Sequence, residues 1–165
     1  MNLTNPLKLF LIILVAFSLV SCEDEQERPV TEKEVPQVVL QAFNNSYPGA
    51  TIKEYAEETE DGQIFYEVSC EFEGRKIDAI YNTDGTVLAI EEVIPADELP
   101  DIIHQAIVKE FQQFSIELVE KIEKEGKQFF EVKLLNTKNQ KKYELLFSND
   151  GKLIEQEKME EDEEE

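Results

Sequence analysis

The sequence predicts an α+β fold of two α-β-β-β-β repeats, with antiparallel sheet structure and one helix per repeat packed on one face. Three observations predict it: repeated landmarks, an apolar stripe at helical spacing in each copy, and alternating apolar and polar residues between turns. Among the landmarks, Pro36 and Pro100 are 64 residues apart, and Asp84-Gly85 and Asp150-Gly151 are 66 apart. Such self-similarity indicates one supersecondary unit used twice.

Each repeat is expected to begin with a helix. Apolar residues of the first copy recur at i, i+3, i+4, i+7 and i+8, which places them on one stripe: Val35, Val38, Val39, Ala42 and Phe43. The second copy repeats the stripe with Leu99, Ile102, Ile103, Ala106 and Ile107. Pro36 and Pro100 suit the first turn of a helix, where the backbone needs no N–H partner.

Four strands are expected to follow in each repeat. A period of two, typical of a strand with one buried face, is clearest in Ile64, Tyr66, Val68, Cys70 and Phe72. The matching face of the second copy carries Phe130, Val132 and Leu134. Hairpin turns are indicated by Asp61-Gly62, Glu73-Gly74 and Asp84-Gly85. Because a single repeat is small for independent stability, the copies should dock edge to edge in one sheet or pack as two close lobes.

Residues 1–21 have the build of a secretory signal peptide. Lys8 supplies positive charge, and residues 9–20 are apolar apart from Ser18, which is shorter than the ~20 residues of a membrane-spanning helix. The run Leu19-Val20-Ser21-Cys22 resembles the lipobox of bacterial lipoproteins, in which the chain is cut before the cysteine and that cysteine carries lipid. An ordinary cleaved signal with an incidental Cys22 is the alternative.

Charged segments flank the repeats. Residues 22–33 are expected to form an extended acidic tether, too charged to pack, and residues 159–165 an acidic disordered tail. Repeat 1 then spans residues 34–94 and repeat 2 residues 95–158. The net charge is −21, and removal of residues 1–21 takes away only Lys8 among charged residues, which leaves −22. This charge disfavours nucleic acids and anionic lipid surfaces, and it favours either basic partners or repulsion from a polyanionic cell surface.

The repeated residues resemble the PepSY-like family, also described as β-lactamase-inhibitor-like. They open and close the first helix and form a strand and a hairpin: residues 35–39, 47–50, 65–68 and 82–85. The second copy keeps Leu99-Pro100, residues 129–132 and residues 148–151, so the resemblance covers residues 34–158. These turn and core residues specify a fold better than an activity. The resemblance implies a small secreted or lipid-anchored domain, and related domains that restrain proteases or β-lactamases suggest inhibitor-like protein binding.

Residues that catalysis often uses are sparse. His104, the single histidine, lies off the apolar stripe of its helix, so a surface position is expected. Cys70 lies on the apolar face of its strand, where the second copy has Leu134, so we expect a buried small side chain rather than a nucleophile. No zinc spacing, phosphate loop or nucleophile elbow appears. We therefore predict a protein that is not an enzyme and uses no cofactor.

One motif partly matches a calcium-binding loop. Asn82, Asp84, Gly85 and Glu91 occupy positions 3, 5, 6 and 12 of an EF-hand loop. Position 1 is Ile80 instead of aspartate, and strands flank the motif, so a hairpin turn explains the same letters. Asn82, Asp84 and Glu91 remain weak metal candidates. Adjacent acids, such as Glu57-Glu58 and Glu91-Glu92, are predicted to be solvated strand positions.

These observations favour a non-enzymatic binding module, anchored by lipid on Cys22 in the bacterial envelope, at the outer membrane with a periplasmic or surface orientation. It would engage an unknown protein or peptide through an open sheet face or a sheet edge. Apolar residues opposite the core-facing set form the candidate binding face: Phe65, Ile80, Phe129, Leu135 and Leu146. The alternative function is an acidic lipoprotein that binds cations or a small ligand through its tail and Asp-Gly loops.

Overall fold

The computed structural model describes residues 26–60 and 62–158, and these form one nine-stranded antiparallel sheet with two helices. Each strand pairs with its neighbours along the chain, in the order β1 to β9. The strands are β1 Gln26–Pro29, β2 Thr51–Glu60, β3 Gln63–Phe72, β4 Arg75–Asn82, β5 Val87–Val93, β6 Phe114–Lys124, β7 Lys127–Asn136, β8 Lys142–Ser148 and β9 Leu153–Lys158. The helices are α1 Gln37–Ser46 and α2 Asp101–Glu110, and a 3-10 turn spans Ala96–Glu98. Neither helix of the described ranges is long and apolar enough to cross a membrane.

The two helices begin directly after the repeated prolines. The carbonyl of Pro36 accepts hydrogen bonds from the backbone N–H groups of Val39 and Leu40, and the carbonyl of Pro100 accepts those of Ile103 and His104. Proline suits this place because its fixed φ is already close to the helical value and its missing N–H needs no partner.

The predicted apolar stripes are wrong at one position in each helix. Val38 is 47% exposed and Ile102 is 53% exposed, whereas Leu40 is buried beside Val39. The backbone of Val38 lies over the hairpin glycine Gly85, and the side chain of Ile102 lies over Gly151. Both residues therefore cover a turn at the flank of the helix instead of entering the core.

Each helix shares a core with strands of its own repeat. One core joins Val39, Leu40 and Phe43 of α1 to the apolar side of β3 and β4, namely Tyr66, Val68, Cys70, Ile77, Ala79 and Tyr81. The other joins Ile103 and Ile107 of α2 to Val119, Phe130, Val132, Leu134, Leu145 and Phe147 of β6, β7 and β8. The corresponding residues of the two copies thus have the same role, as the repeat predicts.

The two repeats join edge to edge. The last strand of repeat 1, β5, pairs with the first strand of repeat 2, β6, from Ala89 opposite Lys124 to Val93 opposite Glu120. The alternative of two separate lobes is therefore wrong. Because of this pairing, both faces of the sheet continue without a break from one repeat into the next.

Part of the predicted tether is ordered. Gln26–Pro29 form β1, which pairs with Ala56 to Thr59 of β2. Arg28 lies 3.0 Å from Glu57 and 3.3 Å from Glu34, measured between guanidinium nitrogens and carboxylate oxygens. The prediction that this charged segment cannot pack is wrong for these four residues, because Arg28 is matched by acids of the folded domain. The predicted signal peptide, Cys22 and the predicted acidic tail lie outside the described residues.

Two glycines provide a stability test of the contact between α1 and the β4–β5 hairpin. Gly85 has φ +84° and an added Cβ would lie 2.9 Å from the Val38 carbonyl oxygen, whereas Gly49 has φ +82° and an added Cβ would meet nothing within 4 Å. We expect Gly49→Ala to lower the free energy of unfolding by about 1 kcal/mol, the cost of a left-handed alanine. Gly85→Ala should cost about 2–4 kcal/mol, because α1 must also shift. Denaturant titration measures both, and equal losses would contradict the role given to the Val38 contact.

Candidate functional site

An acidic surface covers the face of the sheet opposite Tyr66, Ala79, Phe130 and Phe147. Strand register places at least one carboxylic side chain from every strand on it: Glu27, Glu54, Glu58, Glu67, Asp78, Glu91, Glu120, Glu131, Glu144, Glu155 and Glu157. We call this set the acidic face. Because directly opposed residues on neighbouring strands lie about 5 Å apart, the register brings these acids within electrostatic reach of each other.

Several of these acids are buried. Their exposed fractions are 4% for Glu58, 6% for Glu67, 3% for Asp78 and 8% for Glu131. Burial of a carboxylate is unfavourable unless it is paired with a cation, hydrogen-bonded or protonated. The local contacts therefore decide which form each carboxyl group takes.

Ser69 connects two of the buried acids. Its Oγ lies 2.6 Å from Oε1 of Glu67 and 2.5 Å from Oδ1 of Asp78. A serine hydroxyl has one hydrogen and donates one hydrogen bond at a time, so the second short contact needs a proton on a carboxyl group. Asp78 also lies 3.1 Å from the Nζ of Lys76, whereas burial raises the pKa of Glu67, so Glu67 is the group that carries the proton.

The pKa values of the acidic face follow the same logic. Burial, reinforced by the charge of Asp78, raises the pKa of Glu67, whose carboxyl group also shares a hydrogen bond with Glu58. Burial, then the negative charges of Glu120 and Asp78, raises the pKa of Glu91 to about 8. These groups are therefore held as neutral carboxylic acids near neutral pH.

A second cluster of acids surrounds one lysine. The Nζ of Lys133 lies 3.4 Å from Glu131, 3.6 Å from Glu120 and 3.6 Å from Glu144. Burial, then the charge of Glu144, raises the pKa of Glu131, although Lys133 opposes the rise. One ammonium group against three carboxyl groups leaves this cluster with an excess of negative charge or bound protons.

The apolar residues predicted as a binding face do lie on the acidic face. Phe65, Ile80 and Leu146 are buried, however, and Phe129 and Leu135 are half-buried. Phe65 and Ile80 pack together with Ala89 in a small cluster of their own. The expectation of exposed apolar surface is therefore wrong for Phe65, Ile80 and Leu146, because side chains of neighbouring strands cover them. The exposed part of this face carries carboxyl groups such as those of Glu54 and Glu157, with partly exposed ammonium groups at Lys76 and Lys133.

The weak metal candidates are not brought together. Asp84 accepts hydrogen bonds from the backbone N–H and hydroxyl of Thr86, at 2.9 and 2.7 Å, and Asn82 donates to the same hydroxyl at 2.9 Å. Glu91 lies away from this turn, opposite Asp78. Within residues 26–60 and 62–158, no group of three or more His, Cys, Asp or Glu side chains is arranged to hold a metal ion. The partial calcium motif is a hairpin turn.

Sequence reasoning missed the buried acids. Glu58 was predicted to be solvated and is buried, and Glu67, Asp78 and Glu131 were not recognised. By contrast, His104 is exposed and Cys70 is fully buried, as predicted. Burial, then the charge of Asp78, raises the pKa of Cys70 to about 11, so its reactive thiolate form is disfavoured at neutral pH.

The family comparison gives two overlapping matches along the chain. The sequence profile described as "Putative beta-lactamase-inhibitor-like, PepSY-like" matches residues 21–89 and again residues 65–155. The chain belongs to the PepSY-like family. No curated protein sequence matches this PepSY-like chain.

Solved structures similar to this PepSY-like chain come from Bacteroides. One from Bacteroides eggerthii, described among "putative periplasmic proteins", is 20% identical with a TM-score of 0.66, over 75% of this chain and 88% of that one. A DUF2874 family protein from Bacteroides uniformis is 18% identical, with a TM-score of 0.64 over 74% and 88%. A BLIP-like protein from Bacteroides fragilis is 23% identical, with a TM-score of 0.60 over 79% and 91%. At these identities the likeness shows the PepSY-like fold alone.

The raised pKa values predict an unusual dependence of stability on pH. A carboxyl group whose pKa rises from 4.5 in the unfolded chain to about 8 on folding, as at Glu91, binds more protons in the folded state between these values. The free energy of unfolding should therefore fall as pH rises from 5 to 8. Glu91→Gln should flatten this fall and gain about 1–2 kcal/mol at pH 8, after allowance for partial exposure.

Thermal or urea unfolding at several pH values measures this effect. Glu110→Gln is the matched control, because Glu110 is exposed on α2 and is remote from the acidic face. A stability that rises from pH 5 to 8, or a Glu91→Gln profile parallel to that of the wild type, would contradict the neutral state of the acidic face.

Proposed function

We propose that the chain is a lipid-anchored, non-enzymatic binding module of the bacterial envelope that holds a basic segment of a protein or peptide on its acidic face. The observation that carries this proposal is that strand register places carboxylic side chains from every strand on the acidic face. Burial raises the pKa of Glu67, Glu91 and Glu131 within this face. Lysine or arginine at such a site can replace the bound protons and make charge-assisted hydrogen bonds with the resulting carboxylates. The net charge of −22 left after removal of residues 1–21 adds long-range attraction for a basic partner.

The anchoring part of the proposal rests on the N-terminal sequence. Residues 1–21 would be removed as a signal peptide, and Cys22 would carry the lipid and hold the domain at the outer membrane, on its periplasmic or surface side. The description of the Bacteroides eggerthii relative as periplasmic supports an envelope location. Since β1 begins at Gln26, only a short segment would separate the lipid from the folded sheet.

The proposal of binding without catalysis rests on what the reactive residues do. His104 is exposed on α2, and Cys70 is buried in the core beneath α1 with a raised pKa. The family description suggests that the chain would bind a protein partner as an inhibitor does. A β-lactamase is then one partner to try, and slower hydrolysis of its substrate in the presence of this chain would support that form.

A charge-matched pair of variants tests the acidic face. We expect Glu120→Gln, Glu144→Gln and Glu157→Gln together to weaken binding of a labelled peptide of about ten alternating lysine and threonine residues by about tenfold or more. The control, Glu32→Gln, Asp97→Asn and Glu110→Gln, removes the same charge from exposed positions outside the acidic face and should leave affinity nearly unchanged. Fluorescence anisotropy at low and moderate salt measures both.

The two variants also distinguish rival explanations. Equal weakening in both would show that the peptide responds to net charge alone, which would contradict the acidic face as the site. Calcium at millimolar concentration should produce no saturable binding heat in calorimetry. Saturable calcium binding that the face variant abolishes would instead support the alternative function of a cation-binding lipoprotein.

Cys22 provides the test of anchoring. Two or more fatty chains give stable membrane anchoring, at about 0.8 kcal/mol for each buried methylene group. We expect Cys22→Ala to block lipid attachment and to release or mislocalise the protein while residues 26–158 remain folded. Metabolic labelling with a fatty-acid analogue measures this directly. A label that persists in Cys22→Ala, or that the wild type never acquires, would show that the lipoprotein interpretation is wrong.

A further inference from the structure

We infer that the outer edge of β9 accepts an extended basic segment of the partner as an added strand, whose lysine or arginine side chains lie over the acidic face. This inference rests on the proposed function, since it specifies how the basic segment is held. It assigns the backbone contacts to β9 and the charge contacts to Glu155, Glu157 and Glu144.

The join between the repeats is the internal precedent. β5 and β9 are the last strands of their repeats, and with the 66-residue offset Ala89 corresponds to Glu155 and Glu91 to Glu157. The outer edge of β5 is paired with β6 over five successive positions. Within residues 26–60 and 62–158, no strand pairs with the outer edge of β9. An edge of this kind presents unpaired N–H and C=O groups that can accept another strand.

The opposite edge of the sheet is protected. β1 covers part of β2, is only four residues long and ends in Pro29, which has no N–H to donate. Arg28 holds it in place through Glu57 and Glu34. Pairing of β9 with β2 of a second copy would have to displace this strand and bring together two chains of strongly negative charge. The occupant is therefore a basic strand from a different molecule.

The charges along β9 specify the chemistry of that strand. Within the join, Lys124 of β6 lies opposite Ala89 of β5. At the corresponding place on β9 stands Glu155, which lies beside Leu146, and Glu157 lies beside Glu144. A lysine or arginine of the added strand, in the position that Lys124 has in the join, would lie opposite Glu155 instead of Ala89. Burial, then the charges of Glu157 and Glu144, raises the pKa of Glu155, and a lysine or arginine beside this carboxyl group would oppose that rise.

Matched N-methylated peptides test strand addition with the full chain. In an extended strand, alternate N–H groups point to opposite edges, so methylation of all lysine nitrogens or of all threonine nitrogens blocks one edge at a time. The probe is the alternating lysine-threonine peptide in three forms: unmodified, methylated at lysine and methylated at threonine. One methylated form should lose at least about tenfold in affinity, and the other should keep most of it. Bound peptide should also slow hydrogen exchange of backbone amides within residues 153–158.

The outcomes separate this inference from the proposed function. Equal affinity of both methylated forms, without protection of β9 amides, would overturn the added strand. If such binding were still weakened by the Glu120, Glu144 and Glu157 substitutions, the acidic face would stand as the site and only the edge would be wrong. Failure of the wild-type chain to bind the unmodified peptide at low salt would overturn both.

Discussion

Pairing between β5 and β6 is the constraint on which the rest of the molecule depends. It turns two small repeats, each with a helix and its own core, into one sheet of nine strands. The join also carries the acidic face across the repeat boundary, because Glu91 of β5 and Glu120 of β6 reach each other there. The charge of Glu120 is the largest electrostatic cause of the raised pKa of Glu91, after burial. Neither repeat alone would place these two groups together.

The acidic face opposes the stability that the join provides. Buried carboxyl groups such as Glu67 and Glu131 are unfavourable as anions, and the fold tolerates them by keeping protons, by the Ser69 hydroxyl and by the ammonium group of Lys133. Two apolar cores on the other face offset this cost. Proteins tolerate buried charged groups of this kind mainly at functional sites, where the rest of the fold compensates for their cost. A basic ligand would remove the unfavourable term, so binding and stabilisation are coupled.

The sequence carried more information about the fold than about the site. The repeat, the starting points of the helices and the core side of β3 could be predicted because prolines, apolar spacing and strand alternation are local signals. Val38 was misplaced because its environment is a turn in another part of the chain, and β1 was missed because Arg28 finds its acids only in the folded domain. Glu67 alternates with apolar residues as a solvated position does, and Glu58 stands between the polar residues Glu57 and Thr59. Their burial depends on what neighbouring strands present, which no single strand reveals.

Protonated carboxylic acids on the acidic face near neutral pH are the property on which the proposed binding depends. Site-resolved carbon NMR titration of the glutamate carboxyl groups measures this property, because the side-chain carboxyl carbon shifts as each group loses its proton. We expect Glu91 to titrate near pH 8, and Glu67 and Glu131 to titrate well above 4.5. If Glu67, Glu91 and Glu131 all titrate near 4.5, the acidic face is a solvated surface and does not hold neutral acids.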